Sequence, residues 1–283
     1  MIDDTVRDIR NMRTHSSSDI AIQAALALGS LTEREFQSAD ELRQSVEQNS
    51  RILRQANPSH AWLQSSQRAL VETVSQEETS SVTALSHTLE QAVGETIDNI
   101  ETATDKAGLN GLDLIETGDV VLTHDFSTTV LALAEACNDE GIALDFIVTE
   151  ARPRFMGRRM ARKLSTLSNI DVTLIVDSAA GYILPRCDRV VVGMDCIVDT
   201  TLYNRVGTYP IATTAARESV PVTVLGANAK IVDHGFMFNN NPREAVEVMR
   251  EPTTAFEIEN PPYDATPMDL IESVVTETGI TKW

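Results

Sequence analysis

Residues 189–212, RVVVGMDCIVDTTLYNRVGTYPIA, bring together an acid, a base and a helix start within one short stretch. Asp195 follows an apolar run, Arg189 to Val192, that reads as a buried strand, and Gly193 lets the backbone turn. Ligands of open parallel sheets collect outside the carboxyl ends of the strands, so an acid there is a candidate for acid–base or anchoring chemistry. Asn204, Arg205, Gly207 and Thr208 stand just before an apolar helical pattern at Ile211, Ala212, Ala215 and Ala216. The free N–H groups and positive dipole end of a helix start favour anions. Together these residues predict a site for a small phosphorylated ligand. The same spacing also fits a plainer arrangement, in which Asp195 and Arg205 brace each other.

Other strand ends carry further candidates. After Val120–Thr123 come Asp125, Ser127 and Thr128, the last two placed as helix caps or as anion donors. If Asp125 and Asp195 face each other closely, like-charge repulsion raises the pKa of one, and the pair can divide acid–base work. The stretch Thr149–Gly157 holds Arg152, suited to a forked contact with phosphate or carboxylate, or to an ion pair with Glu150 or Asp177. Pro153 stiffens that loop and Gly157 permits an unusual turn. Ser178 either donates to a phosphate or caps a helix. Arg158, Arg159, Arg162 and Lys163 form a basic helix face, solvated or turned to an acidic partner. Lys230 is one of very few lysines, and Cys196 beside Asp195 reads as a buried thiol.

The elements that must position these groups fall into two sets. Residues 1–110 show only helical patterns, starting with Ile2, Val6, Ile9 and Met12. A serine of the 16–18 run caps the next helix. Thr32 with Glu35 forms a capping box, Ser59 starts a helix, and Ser80 or Ser81 opens the longest. Trp62 reads as core and His60 as solvated. From 111 to 283, apolar runs at Val120–Thr123, Ala143–Thr149, Val172–Val176, Arg189–Val192 and Val222–Leu225 alternate with helix-length segments, the pattern of a parallel α/β sheet. Pro261-Pro-Tyr-Asp264 reads as an extended tail before a final helix. Dinucleotide and triphosphate loops are missing, and no cofactor or metal is expected.

Gly193-Met-Asp-Cys-Ile197, with Asn204-Arg-Val-Gly-Thr-Tyr209, resembles the Gly-Ala-Asp-x-Ile and Asn-Lys-Ile-Gly-Thr-Tyr signature of one superfamily. Thr149-Glu-Ala-Arg-Pro153 with Gly157, Asp177-Ser-Ala-Ala180 and Asn260-Pro-Pro-Tyr-Asp-Ala-Thr-Pro267 extend the likeness over residues 118–280. The superfamily contains the alpha, beta and delta subunits of translation initiation factor 2B. It also contains the isomerases of methylthioribose-1-phosphate and ribose-1,5-bisphosphate. The resemblance implies a helical N-terminal domain, residues 1–110, and a Rossmann-like ligand-binding and dimerisation domain, residues 111–283. It implies a pocket that uses Asp195, Arg152 and a lysine near Lys230. It places an anion-holding turn at Thr14-His15-Ser16-Ser17, where helix capping is the alternative. In both isomerases the segment matching Leu122-Thr-His-Asp125 reads Thr-His-Cys, and the cysteine acts in catalysis; here the position holds Asp125. The first expectation is therefore a non-catalytic, initiation factor 2B alpha-like subunit. It would bind a sugar phosphate or nucleotide in a cradle of Asp195, Arg152, Arg205 and the Ser127/Thr128 helix start. It would assemble with itself as a dimer or larger, with a translation initiation factor as a further partner. The alternative is an aldose–ketose isomerase using Asp125 and Asp195.

The chain has 283 residues, net charge −19, and 19 arginines against 4 lysines. Acids are spread throughout, which disfavours nucleic-acid binding by bulk charge. Three cysteines without metal-type spacing read as reduced thiols, and a cytoplasmic, membrane-free protein is expected. So acidic a surface suits a high-salt cytoplasm, where screening cancels self-repulsion. Adding molar KCl is accordingly expected to raise the melting temperature followed by circular dichroism. A fold that is equally stable and monodisperse without salt would contradict this reading.

Overall fold

The computed structural model describes residues 1–11, 16–232, 236 and 238–283. Thr14 and His15 of the suggested anion turn lie outside these residues. The chain divides into two compact units, Met1–Thr102 and Ala103–Trp283, and the division falls within one long helix.

The first unit is helical. It contains α1 (Ile2–Arg10), α2 (Ser17–Gly29), α3 (Ala39–Ala56), α4 (Ala61–Gln76) and most of α5 (Val82–Asn110). Its core joins Ile9, Leu28, Leu42, Leu53, Leu63 and Leu85, all with almost no exposure. Ser16 caps α2, its Oγ accepting from the Asp19 amide at 3.1 Å. Two helix starts differ from the sequence expectation. Thr32 lies in a 3-10 turn, and the next helix is capped by Ser38, which accepts from the Glu41 amide at 3.2 Å. α4 is capped by His60 rather than Ser59. The buried imidazole Nδ1 accepts from the Leu63 amide at 3.0 Å, so this histidine is not a solvated one.

The second unit is built on a seven-stranded sheet. Its strands are β1 (Val120–Thr123), β2 (Leu144–Thr149), β3 (Ile170–Ile175), β4 (Arg189–Gly193), β7 (Val222–Leu225), β10 (Ser273–Thr276) and β11 (Gly279–Lys282). Their order is β11-β10-β7-β4-β1-β2-β3, and every pair except the β10–β11 hairpin is parallel. β1, β4 and β7 are apolar and buried along nearly their whole length, as a parallel sheet covered on both faces requires. α6 (Thr128–Asp139) and α7 (Met156–Leu164) contribute to the core that includes Val121, Phe146 and Val191. The short α8 (Ala180–Ile183) and α9 (Thr208–Glu218) contribute to the core that includes Leu122, Val190 and Val224.

Chain order runs β1 to β2 to β3 on one side and then returns to β4 on the other. The reversal therefore lies between β1 and β4, and this is where ligands of such sheets bind. β4 feeds directly into a second, four-stranded sheet of order β8-β5-β6-β9, made of β5 (Cys196–Val198), β6 (Thr201–Arg205), β8 (Ile231–Val232) and β9 (Tyr263–Pro267). The expected final helix is not formed. After Tyr263 the chain adds β9 to the small sheet, then β10 and β11 to the large one.

The loop from β2 into α7 is set by Gly157, for a different reason than an unusual turn. A Cβ at Gly157 would run into the Thr149 carbonyl at the end of β2. Gly157→Ala is expected to destabilise the protein by about 3 kcal/mol, the upper end of overpacking costs. Urea unfolding checks this, and a midpoint equal to the parent's would count against the close approach.

Candidate functional site

Asp125 leaves the end of β1 and Asp195 the end of β4, so the topological reversal sets the two acids side by side. Asp125 holds a left-handed backbone, φ 65°, which is uncommon for a non-glycine residue and keeps the chain from continuing as strand. Arg205 reaches both from the last position of β6. Its Nε lies 3.2 Å from Asp125 Oδ2 and 3.9 Å from Asp195 Oδ2. All three side chains are at most about one-fifth exposed, at 12%, 14% and 19% for Asp125, Asp195 and Arg205. The guanidinium also sits 4.8 Å from the Tyr263 ring centroid, a residue that β9 sets directly opposite Arg205. Tyr263 in turn meets the edge of Phe238, which stacks on Tyr203 at 4.1 Å.

Burial pushes the Asp125 carboxyl above its ordinary range, and nearby Asp195 adds to this. Arg205 and His124 pull against the rise without cancelling it. For Arg205, burial works against the charge, but the surrounding acids Asp195, Asp125 and Glu247 hold the guanidinium protonated. Burial drives the Tyr263 hydroxyl upward and keeps it neutral. The arrangement is two acids beside one permanent cation, one of them with its proton affinity raised by burial. Such a pair can give and take protons on adjacent atoms of a bound molecule.

His124, which was not among the expected site residues, holds this geometry. Its ring is buried, with Nδ1 2.6 Å from Thr149 Oγ1 on β2 and Nε2 2.9 Å from the Val206 carbonyl. It thereby ties the Asp125 loop to the turn that follows Arg205. Gly207 makes this possible: its φ is +114°, and a Cβ there would come within 2.6 Å of the imidazole. A histidine next to an acid after a strand is a weak signal in sequence, because its two partners come from other elements.

Several expected ligand residues turn out to hold the frame. Asn204 is buried, and its Nδ2 donates to Thr208 Oγ1 at 3.0 Å, which donates in turn to the Arg205 carbonyl at 2.7 Å. The start of α9 is already occupied by the protein's own anion. The Gly207 and Tyr209 amides donate to Asp264 Oδ2 at 2.8 and 3.0 Å, so the expected phosphate position there is filled. Ser127 caps α6, accepting from the Val130 amide at 3.3 Å, and Thr128 is the first residue of that helix. Arg152 is exposed; its Nη2 donates to the Val248 carbonyl at 2.8 Å, beside the short α10 (Ala245–Val248). Asp177 does bind at Arg152, but through the backbone. Its carboxylate accepts the Ala151 and Arg152 amides, both at 2.7 Å, while Glu150 pairs with Arg158. Ser178 is exposed, in the 3-10 turn after β3.

Lys230 stands under the site. It is 3% exposed, and its Nζ donates to the Met194 carbonyl at 3.1 Å, one residue before Asp195. Burial lowers its pKa to about 8 against the opposing pull of Asp195, Cys196 and Glu277. The three cysteines are all buried. Burial raises the Cys137 and Cys187 thiols to about 11 and lifts Cys196 further, so sulfur is poorly placed for reactivity. Among the described residues no cluster suits a metal ion, and no helix is long and apolar enough to cross a membrane.

Comparison with known proteins agrees with this architecture. The ribose 1,5-bisphosphate isomerase of Haloferax volcanii is 30% identical over 284 residues, covering 97% of this chain and 87% of that protein. The enzyme of the same name from Pyrococcus furiosus is 30% identical over 289 residues, covering 96% and 87%. A putative methylthioribose-1-phosphate isomerase of Archaeoglobus fulgidus is 29% identical over 282 residues, covering 92% and 82%. Among solved structures, the translation initiation factor eIF-2B of Pyrococcus horikoshii superposes with a TM-score of 0.83 at 24% identity, covering 99% of this chain and 96% of that one. The 5-methylthioribose 1-phosphate isomerase of the same organism gives 0.84 at 20% identity, covering 99% and 84%. These two structures share the fold, a helical unit followed by a parallel-sheet unit. Residues 13–283 match one family over nearly the whole chain, and the protein is thus a member of the initiation factor 2 subunit family.

Proposed function

We propose that this protein is an aldose–ketose isomerase of a phosphorylated ribose, with Asp125 and Asp195 as its proton-transfer groups and Arg205 as the cation between them. The observation that carries the reading is the sharing of one buried guanidinium by two carboxylates at the sheet's reversal point. Relatives of about 30% identity over most of the chain, named as ribose 1,5-bisphosphate isomerases, support it. They favour the enzyme over the binding subunit that was the first expectation.

The reaction moves hydrogen between neighbouring carbons. One group must take a proton from carbon and return it to the next, while another supports the oxygen on which charge develops. Asp195, paired with Arg205, serves as the shuttle. Asp125, whose proton affinity burial raises, serves as the acid toward that oxygen, and Arg205 steadies the charge that results. A carboxylic acid here replaces the cysteine that the family resemblance implies. It needs a compensating cation, because a phosphorylated substrate adds negative charge, and Arg205 supplies it. The oligomer and a phosphorylated ligand belong to the same proposal.

One feature favours a second reading, a subunit that binds a sugar phosphate or nucleotide without turnover and assembles with like chains or an initiation factor. Position 125 carries no thiol, and no other cysteine reaches reactive exposure. Incubation with ribose-1,5-bisphosphate and with methylthioribose-1-phosphate, followed by product assay, separates the two readings. Turnover is expected, and Asp195→Asn is expected to lower kcat by roughly a hundredfold or more. Asp125 acts in its protonated form, so activity should fall as pH rises through its elevated pKa. Asp125→Asn should abolish that alkaline limb along with most of the rate. Binding that raises the melting temperature, with no product from either sugar, would give the subunit reading its support instead.

A further inference from the structure

α8 and α9 belong to one layer on the large sheet, and each buries only one side. Ala180 and Ile183 of α8, with Ile211, Ala212 and Ala215 of α9, join the core around Val190 and Val224. Helical spacing sends the other residues outward. On α9 these are Tyr209, Pro210 and Thr213, all exposed, with Ala216 one turn on. On α8 the outward residue is Tyr182, which is 82% exposed, more than any other large apolar or aromatic side chain among the described residues. The two helices are neighbours: a Cβ at Gly181 would lie 3.7 Å from Thr214 Cγ2. Tyr182 and the outer side of α9 therefore stand on adjoining helices of the same face.

This face differs from the rest of the surface in charge. Neither 178–185 nor 206–216 contains a charged residue, on a chain whose net charge is −19. Its threonine hydroxyls are turned back onto their own helix. Thr213 Oγ1 donates to the Tyr209 carbonyl at 2.9 Å and Thr214 Oγ1 to the Pro210 carbonyl at 2.7 Å, so neither hydroxyl needs water as a partner. Charges return at the edges, at Arg186 after α8 and at Arg217 and Glu218 in the last turn of α9. An uncharged centre bearing tyrosines, inside a charged rim, is the composition of a protein interface. Other exposed apolar residues lack it: Val246, Met249 and Phe256 stand among five glutamates between 244 and 259.

The same charge pattern selects the occupant. A protein of different sequence meets an acidic surface through basic groups. A second copy has no such means: across a two-fold axis a surface meets itself, and close to the axis each charge faces its like. Two chains of net charge −19 come into close contact at least cost over a face that carries no charge. We propose that the outer side of α8 and α9, centred on Tyr182, Tyr209 and Thr213, is the surface on which two copies of this chain pair. This gives the proposed self-assembly its location and does not depend on the isomerase reading. α9 starts three residues after Arg205, and the Tyr209 amide is held by Asp264, so pairing braces the turn that follows the shared guanidinium.

The test is sedimentation velocity of the full chain in molar KCl over a micromolar concentration range. The parent is expected as an assembly of two or more chains. Tyr182→Asp and Thr213→Asp each set like charges against each other at an exposed position. They are expected to weaken association by about a hundredfold or more, giving half the parent's mass or less. Tyr182→Phe keeps the ring and should associate as the parent does. Phe256→Asp adds the same charge elsewhere and should leave the assembly intact, and circular dichroism melting checks that every variant is folded. Parent mass retained by both face variants, or dissociation by Phe256→Asp equal to that by Tyr182→Asp, would overturn the assignment. A parent that stays monomeric overturns it too and leaves the face to a protein of another sequence. The measurement reads mass and not turnover, so a failed isomerase assay leaves its result standing.

Discussion

Arg205 is buried between Asp125 and Asp195, and much of the second unit can be understood as the means of keeping it there. Two carboxylates taken out of water close to each other repel, and neither could stay charged without a fixed cation. Removing one partner from a buried ionic group of this kind typically costs about 3–5 kcal/mol, because the others are left uncompensated. The guanidinium also has a flat aromatic surface beneath it in Tyr263, which suits its weakly hydrated, planar charge better than an ammonium. The three charges come from three separate elements, the ends of β1, β4 and β6, and each end is fixed by different contacts.

The fixing contacts repeat one device: the protein's own polar groups fill positions that a ligand might otherwise take. Asp264 satisfies the amides at the start of α9, Asp177 those of the 151–155 turn, and Ser127 the start of α6. Asn204 and His124 join the β6–α9 turn to itself and to β2. Each leaves a rigid wall around the charged centre, and rigidity is what a proton-transfer site requires, since small misplacements cost rate heavily. Lys230 completes the floor by holding the carbonyl before Asp195.

Much of this was legible in the residues. Val120–Thr123, Arg189–Val192 and Val222–Leu225 stand out because strands covered on both faces become unbroken apolar runs. Once these were strands, Asp125 and Asp195 had to lie at their carboxyl ends. The C-terminal segment was not legible. Tyr263–Pro267 and Ser273–Thr276 are too short for a periodicity to declare itself, and their extended form comes from pairing with β6 and β7, distant in sequence. The α3 start was misplaced for a related reason: both Thr32-x-x-Glu35 and Ser38-x-x-Glu41 are capping patterns, and only packing decides which one begins the helix.

The amino-acid sequence alone determined the two-part architecture, an acid at the end of each of two strands, and the absence of sulfur at position 125. These follow from local composition and from the period of apolar residues, which a chain carries wherever it goes. Tertiary structure decided which base serves the acids, which anion sites are already filled, and that Arg152 stands exposed, bonded to the Val248 carbonyl. Those outcomes depend on contacts between segments far apart in the chain, and on burial that raises the proton affinity of one aspartic acid. Neither distance nor dielectric environment is written in the order of residues; both appear only when the strands are laid side by side.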